Sequence, residues 1–187
     1  ILPLHIFEPR YIQMFQDAVK EDGIIGMIQP MEDQAQPGGL FSTGCAGKII
    51  QHEETDDGRI LLSLRGLCRF EVINEEDNDR LYRTVEVDYL PTDNTKTHDA
   101  DNSRQRRLIN DITLYLPTLV QDIDLSPVLE SGLSELSTVL SMHLPFSSEE
   151  KQSLLEAENV DDRVDQLIQL MEKATLDNWI NTDSVFN

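Results

Sequence analysis

The sequence predicts an α+β chain in which a β-rich lobe precedes a helical lobe. Three observations support this. Short apolar or alternating runs separated by turn signals fill residues 1–91, apolar residues almost vanish across 92–103, and from 104 to 187 leucine and isoleucine recur three or four positions apart. Residues 92–103 are therefore expected to form a linker between the lobes.

The first lobe opens on the extended run Leu2-Pro3-Leu4-His5-Ile6-Phe7 and continues into Glu8-Pro9-Arg10-Tyr11. A proline suits the first turn of a helix, because its missing N–H would have no partner there anyway. Ile12, Phe15 and Val19 follow at helical spacing with Tyr11, Met14 and Ala18 beside them, and Gly23 marks the stop. Ile24-Ile25-Gly26-Met27-Ile28, closed by Pro30, reads as a buried strand, and 31–39, with Pro37-Gly38-Gly39, as a surface loop. Residues 40–55 are extended, and Asp56-Asp57-Gly58 turns them back into Arg59–Leu64 as a hairpin. Gly66 is expected to break that strand. Cys68, Phe70 and Val72 then share one face of an alternating run, an acidic loop covers 74–80, and Tyr82–Tyr89 alternates up to Pro91.

In the second lobe Leu108, Ile112, Leu116 and Leu119 follow helical spacing, with Pro117 ending or bending that helix. Ser126-Pro127 supplies a cap and a first-turn proline for a helix whose stripe is Leu129, Leu133, Leu136 and Leu140. Ser147 with Glu150 is a capping-box signature for a short helix reaching Ala157. Asn159 and Asp162 can cap a last helix that turns Val160, Val164, Leu167, Ile168 and Met171 inward. The residues after Thr175 carry no clear pattern.

Charge excludes several functions. Of 187 residues, 35 are acidic and 15 basic, a formal net charge of −20. The excess is shared, with 17 acidic and 8 basic residues in 1–90 and 18 and 7 in 91–187. Nucleic acids and anionic membranes are bound largely through Lys and Arg, so both are disfavoured as partners. The sequence holds no run of about 18 apolar residues that could span a bilayer, and no signal-peptide pattern opens it. It starts at Ile1 without a methionine, so the natural N-terminus is expected to lie upstream. Cys45 and Cys68 are too few for a disulfide framework or metal cluster, and reduced thiols in a cytoplasmic protein are expected.

Residues that could carry chemistry reduce to structural roles. Gly44-Cys45-Ala46-Gly47-Lys48 lacks the spacing of a phosphate-binding loop, and its glycines read as a bulge or a close strand approach. Cys68 alternates with Phe70 and Val72 and is expected in the core, while Cys45 is left open. His5, His52, His98 and His143 share no metal-ligand spacing. Glu53-Glu54, Asp56-Asp57 and Asp161-Asp162 read as hairpin surface, turn chemistry and a complement to a helix dipole. No catalytic residue, cofactor or metal is expected.

Leu2-Pro-Leu-His-Ile-Phe-Glu-Pro-Arg-Tyr11 and Gly26-Met-Ile-Gln-Pro30, followed in order by Gly44-Cys-Ala-Gly47, Asp57-Gly-Arg59 and Gly66-Leu-Cys-Arg-Phe70, resemble the N-terminal substrate-binding domain of Lon proteases. Leu144-Pro145, the capped Ser147–Glu156 and Val160-Asp-Asp-Arg-Val164 fit as well, so the resemblance covers nearly the whole chain. It implies a six-stranded PUA-like β pseudobarrel followed by a C-terminal helical bundle, and the family usually has one more strand ahead of Leu2-Pro3-Leu4. Full Lon proteases continue into an ATPase with a Walker loop and a Ser-Lys peptidase. Neither motif is in this sequence, so no enzymatic activity is expected of it.

The resemblance further implies a stand-alone bacterial module that binds exposed apolar segments of unfolded or damaged proteins, as an adaptor beside a separate protease or chaperone. Tyr11, Met14, Phe15 and Met27 are the candidate peptide contacts, in a groove between the barrel and the adjoining helices, since Met and aromatic side chains adapt to varied apolar partners. Burial habits favour the plainer reading that these four are core. The alternative, an RNA-binding PUA-like module, would depend on Arg104, Arg106 and Arg107, the one basic cluster. Such a cluster is more often a solvated face.

Overall fold

Two long strands organise the first half of the molecule. The computed structural model describes residues 1–31, 38–91, 103, 105–112, 114 and 131–183. The chain forms two compact units, Ile1–Thr92 and Asp93–Asn187. Apart from Ser103, the expected linker lies outside the described residues.

The first unit runs β1 (Leu2–Ile6), α1 (Pro9–Ala18), β2 (Ile24–Pro30), β3 (Leu40–Glu54), β4 (Ile60–Glu76) and β5 (Thr84–Tyr89). Five strands are described, in one antiparallel sheet ordered β1-β4-β3-β2 with β5 also on β4. The expected turn at 56–58 joins β3 to β4: Thr55 N donates to Arg59 O at 2.9 Å, and Gly58 takes φ +78°, a value glycine adopts at little cost. The first part of β4, Ile60–Leu64, lies between β1 and β3, whereas Phe70–Glu76 carries β5.

Gly66 does not end the strand as expected. It sits where the register shifts between Ala46 and Gly47, so β4 absorbs one extra residue as a bulge and continues to Glu76. A glycine tolerates that irregularity, and the ladder on either side outweighs the local break. The acidic loop correspondingly shortens, because Asn74, Glu75 and Glu76 pair with β5.

Glycines also explain how the strands approach one another. Phe70 is 2% exposed and pairs across from Gly44, whose other neighbour is Ile28 of β2. A Cβ on Gly44 would lie 2.4 Å from the Phe70 ring and 2.7 Å from Met27 O, and one on Gly26 would lie 3.3 Å from the same ring. The phenyl group thus lies over two bare backbone positions on adjacent strands. Away from it, Ile6, Phe15, Ile25, Ile60, Leu62 and Leu64 form the buried cluster beneath α1. Cys68 and Val72 alternate with Phe70 but are only half-buried, so Cys68 is not the core thiol that its alternation led one to expect.

The second unit contains α2 (105–112), α3 (Leu133–His143), α4 (Ser148–Glu156) and α5 (Val160–Asp183). Its core joins Leu108 and Ile112 to Leu133, Leu136, Leu140, Leu144, Leu154 and the Val164–Met171 stripe. The stripe expected to run unbroken from Leu129 is interrupted: Gly132 is extended, at ψ 161°, and serves as the N-cap of α3. Glycine loses most backbone freedom inside a helix and is better used at its start. Leu116, Pro117, Leu119, Ser126, Pro127 and Leu129 lie outside the described residues. Ser147 and Glu150 form the expected capping box, and Asp162 N donates to Asn159 Oδ1 at 3.0 Å.

Gly44→Ala is expected to lower the stability of the first unit by about 1–3 kcal/mol, since the new methyl overpacks against Phe70 and a carbonyl. Gly66→Ala, whose added methyl would meet only Cys45 Sγ at 3.8 Å, should change it little. Urea denaturation of both variants checks this. The capping box adds a pH signature. A bond from Lys173, and then one from the Ser147 backbone, holds the Glu150 carboxyl below its ordinary value of 4.5. A depressed folded value means stability that is present above that ordinary value and lost as pH falls through the folded one. The gap in urea midpoint between the natural chain and Glu150→Gln should therefore be present at neutral pH and close in acid.

Candidate functional site

The seat of α1 is fixed by its core contacts and by a loop. Phe15 enters the buried cluster, and Ile12, Met14 and Ala18 are partly buried against it. The Phe15 ring meets His52 of β3 edge-on at 5.1 Å. The connection between β4 and β5 also binds the helix: Leu81 N donates to Gln13 Oε1 at 3.0 Å and Tyr82 Oη donates to Asp17 Oδ2 at 3.1 Å. An Arg80 guanidinium nitrogen donates to Tyr82 Oη at 2.8 Å. Burial first, and then the bond to Asp17, pushes the Tyr82 phenol up, which keeps it protonated as a donor. Arg83 grips Glu75 with two nitrogens and donates to Gly38 O at 2.7 Å. The Leu81–Gln13 and Tyr82–Asp17 bonds tie α1 to residues more than 60 positions away and were not legible as a local pattern.

This packing separates the four expected contacts. Phe15, at 7% exposed, is a core side chain. Burial removes it from contact with a ligand on the intact surface. Met14 is half-buried against the same cluster. Tyr11 and Met27 reach the surface, at 37% and 36% exposed. The Arg10 guanidinium lies 4.5 Å from the Tyr11 ring centroid and is itself paired with Glu8, so one ring face is already covered by a cation. Met27 follows buried Ile25 by two residues on β2, the strand at one end of the sheet, which packs beside α1.

A pocket of about 430 Å³ was missed by the sequence reading. His5, Phe7, Ile12, Asp57, Gly58 and Arg59 line it. Phe7 is 60% exposed and meets His5 edge-on at 5.8 Å, while Asp57 Oδ2 pairs with Arg59 Nε at 2.9 Å. The available signal was an aromatic residue placed just after β1 and just before Pro9, outside both periodicities.

Reactive chemistry finds little here. Cys45 and Cys68 are free and half-buried. Desolvation and the neighbouring Cys68 push the Cys45 thiol up, which disfavours the nucleophilic thiolate. Among the described residues no group of three His, Cys, Asp or Glu is placed to hold a metal ion. No helix of the described residues is long and apolar enough to cross a membrane. In the basic cluster Arg107 pairs with Asp111 at 3.7 Å, which offsets part of its charge.

Residues 1–173 match the family described as the ATP-dependent protease La (LON) substrate-binding domain. The chain belongs to that family. Among its relatives, the Lon protease of Buchnera aphidicola subsp. Baizongia pistaciae is 24% identical over 181 residues, covering 92% of this chain and 23% of the relative. Lon protease 1 of Hydrogenovibrio crunogenus is 26% identical over 182 residues, covering 92% and 22%. The chain thus spans less than a quarter of the length of the curated relatives it matches. Among solved structures, a Lon N-terminal domain protein from Xanthomonas campestris superposes with a TM-score of 0.66 at 21% identity, covering 90% of this chain and 88% of that one. The N-terminal domain of a Mycobacterium avium complex Lon protease gives 0.67 at 16% identity, covering 91% and 90%. Such likeness establishes the Lon N-terminal fold, whereas a site on it must be argued from its own residues.

Proposed function

We propose that this Lon-type domain recognises exposed apolar segments of unfolded or damaged polypeptides, and serves as an adaptor toward a separate protease or chaperone in the bacterial cytoplasm. What supports the reading is the arrangement of α1 and β2. Phe15 and Ile25 anchor these elements in the core, and the same elements carry Tyr11 and Met27 at the surface. A rigid base under half-exposed aromatic and thioether groups suits varied apolar partners, because the protein loses little order on binding while methionine adapts its shape. The free cysteines fit a reducing compartment.

The test follows from the separation of the four side chains. The double variant Tyr11→Ala/Met27→Ala is expected to weaken capture of a permanently unfolded protein about tenfold or more, as hot-spot truncations do. Both side chains are more than half covered, so its melting temperature should fall, but by less than that of Phe15→Ala. Phe15→Ala is expected instead to lower stability by about 3–5 kcal/mol, the cost of emptying a packed aromatic site. Undiminished capture by the double variant contradicts the assignment of this surface.

A further inference from the structure

The pocket beside the β3–β4 turn carries its own chemical preference. Its volume of about 430 Å³ is that of a small ligand site. Phe7 and Ile12 give it an apolar lining, with His5 and the turn residues Asp57, Gly58 and Arg59 completing it. A phenylalanine left 60% exposed next to a cavity is available to a partner's side chain.

The surrounding charge is negative, and the nearby cations are already engaged. Arg10 pairs with Glu8 at 2.8 Å and Arg59 with Asp57 at 2.9 Å. Glu53, Glu54 and Asp56 on the same hairpin are exposed and form no ion pair among the described residues. The register aligns His5, Leu61 and Glu53 across three strands. Glu53 therefore lies two strand spacings from the pocket, about 10 Å. That is about one screening length at 0.1 M salt, so Glu53 acts on whatever enters at lower salt, and Asp56 adjoins the lining residue Asp57. With a net charge of −20, a second copy of the chain would be repelled.

We propose that this pocket seats an apolar side chain of an unfolded polypeptide flanked by lysine or arginine, so that the domain selects basic apolar segments over acidic ones. The inference rests on the proposed reading of the domain as a binder of unfolded chains, and adds a substrate class and a place. Phe7 supplies apolar contact and Glu53, Glu54 and Asp56 supply the charge preference.

The experiment uses the whole chain and two labelled unstructured peptides that share a central phenylalanine and differ in having lysine or glutamate flanks, followed by fluorescence anisotropy. The lysine-flanked peptide is expected to bind about tenfold or more tightly at low salt, with the difference narrowing as salt rises. Phe7→Ser should weaken it about tenfold while Phe7→Leu retains binding. The triple variant Glu53→Lys/Glu54→Lys/Asp56→Lys should reverse the preference. All these side chains are exposed, so thermal melting should stay at the natural value. Equal affinity for the two peptides overturns the proposal, as does self-association that Phe7→Ser abolishes. Capture of an unfolded protein that survives Phe7→Ser but is lost with Tyr11→Ala/Met27→Ala removes the pocket and leaves the broader reading standing. Absence of binding to both peptides and to the unfolded protein removes both.

Discussion

Phe70 lying across Gly44 and Gly26 is the contact on which the first unit depends. The ring occupies the space that two side chains would otherwise fill, and so lets β2, β3 and β4 keep close backbone spacing around a fully buried aromatic group. Burying such a side chain contributes about 1.5–3 kcal/mol. Its larger effect is geometric. Because β3 and β4 are fixed at this point, the bulge at Gly66 and Leu67 reverses which residues face which side, and Leu64, Leu62 and Ile60 form the bed on which Phe15 and α1 rest.

From that bed the surface follows. Tyr11 lies one helical turn before Phe15 and Met27 two strand residues after Ile25, so each shares a face with its buried neighbour. Yet neither joins the buried cluster and both remain more than a third exposed, while the Gln13–Leu81 and Asp17–Tyr82 bonds hold α1 in place. The exposed ion pairs contribute little to stability individually. The pairs Arg10–Glu8 and Arg59–Asp57 matter more by removing cations from the field around the hairpin, which leaves the acidic excess to act on an approaching chain. The same excess opposes binding to phosphate backbones.

Much of this was legible in the sequence because it is local. The proline at the start of α1, the Asp57-Gly58 turn, the Ser147/Glu150 box and the Asn159 cap each involve residues within a few positions of one another. The glycines at 44 and 47 announced a bulge or close approach, but not that Phe70, 26 residues after Gly44, was what approached. Gly66 was expected to end its strand, and Gly132 lies inside the stripe expected to form one helix from Leu129 to Leu140. A strand ladder absorbed the first as a bulge, whereas a helix could not absorb the second and started after it. The candidate site was half legible: helical spacing grouped Tyr11, Met14 and Phe15, but only packing decides which of three neighbouring positions points inward. The His5–Phe7 and Asp57–Arg59 segments that meet at the pocket are about 50 residues apart and share no pattern.

Hydrogen exchange of the whole chain with and without a saturating, permanently unfolded protein tests most directly whether this Lon-type domain is a polypeptide-recognition module. Added protection is expected in α1 and β2 and at the β3–β4 turn, absent when the same protein is supplied in its native folded form. Unchanged exchange throughout the first unit, or equal protection by the folded form, would contradict that role.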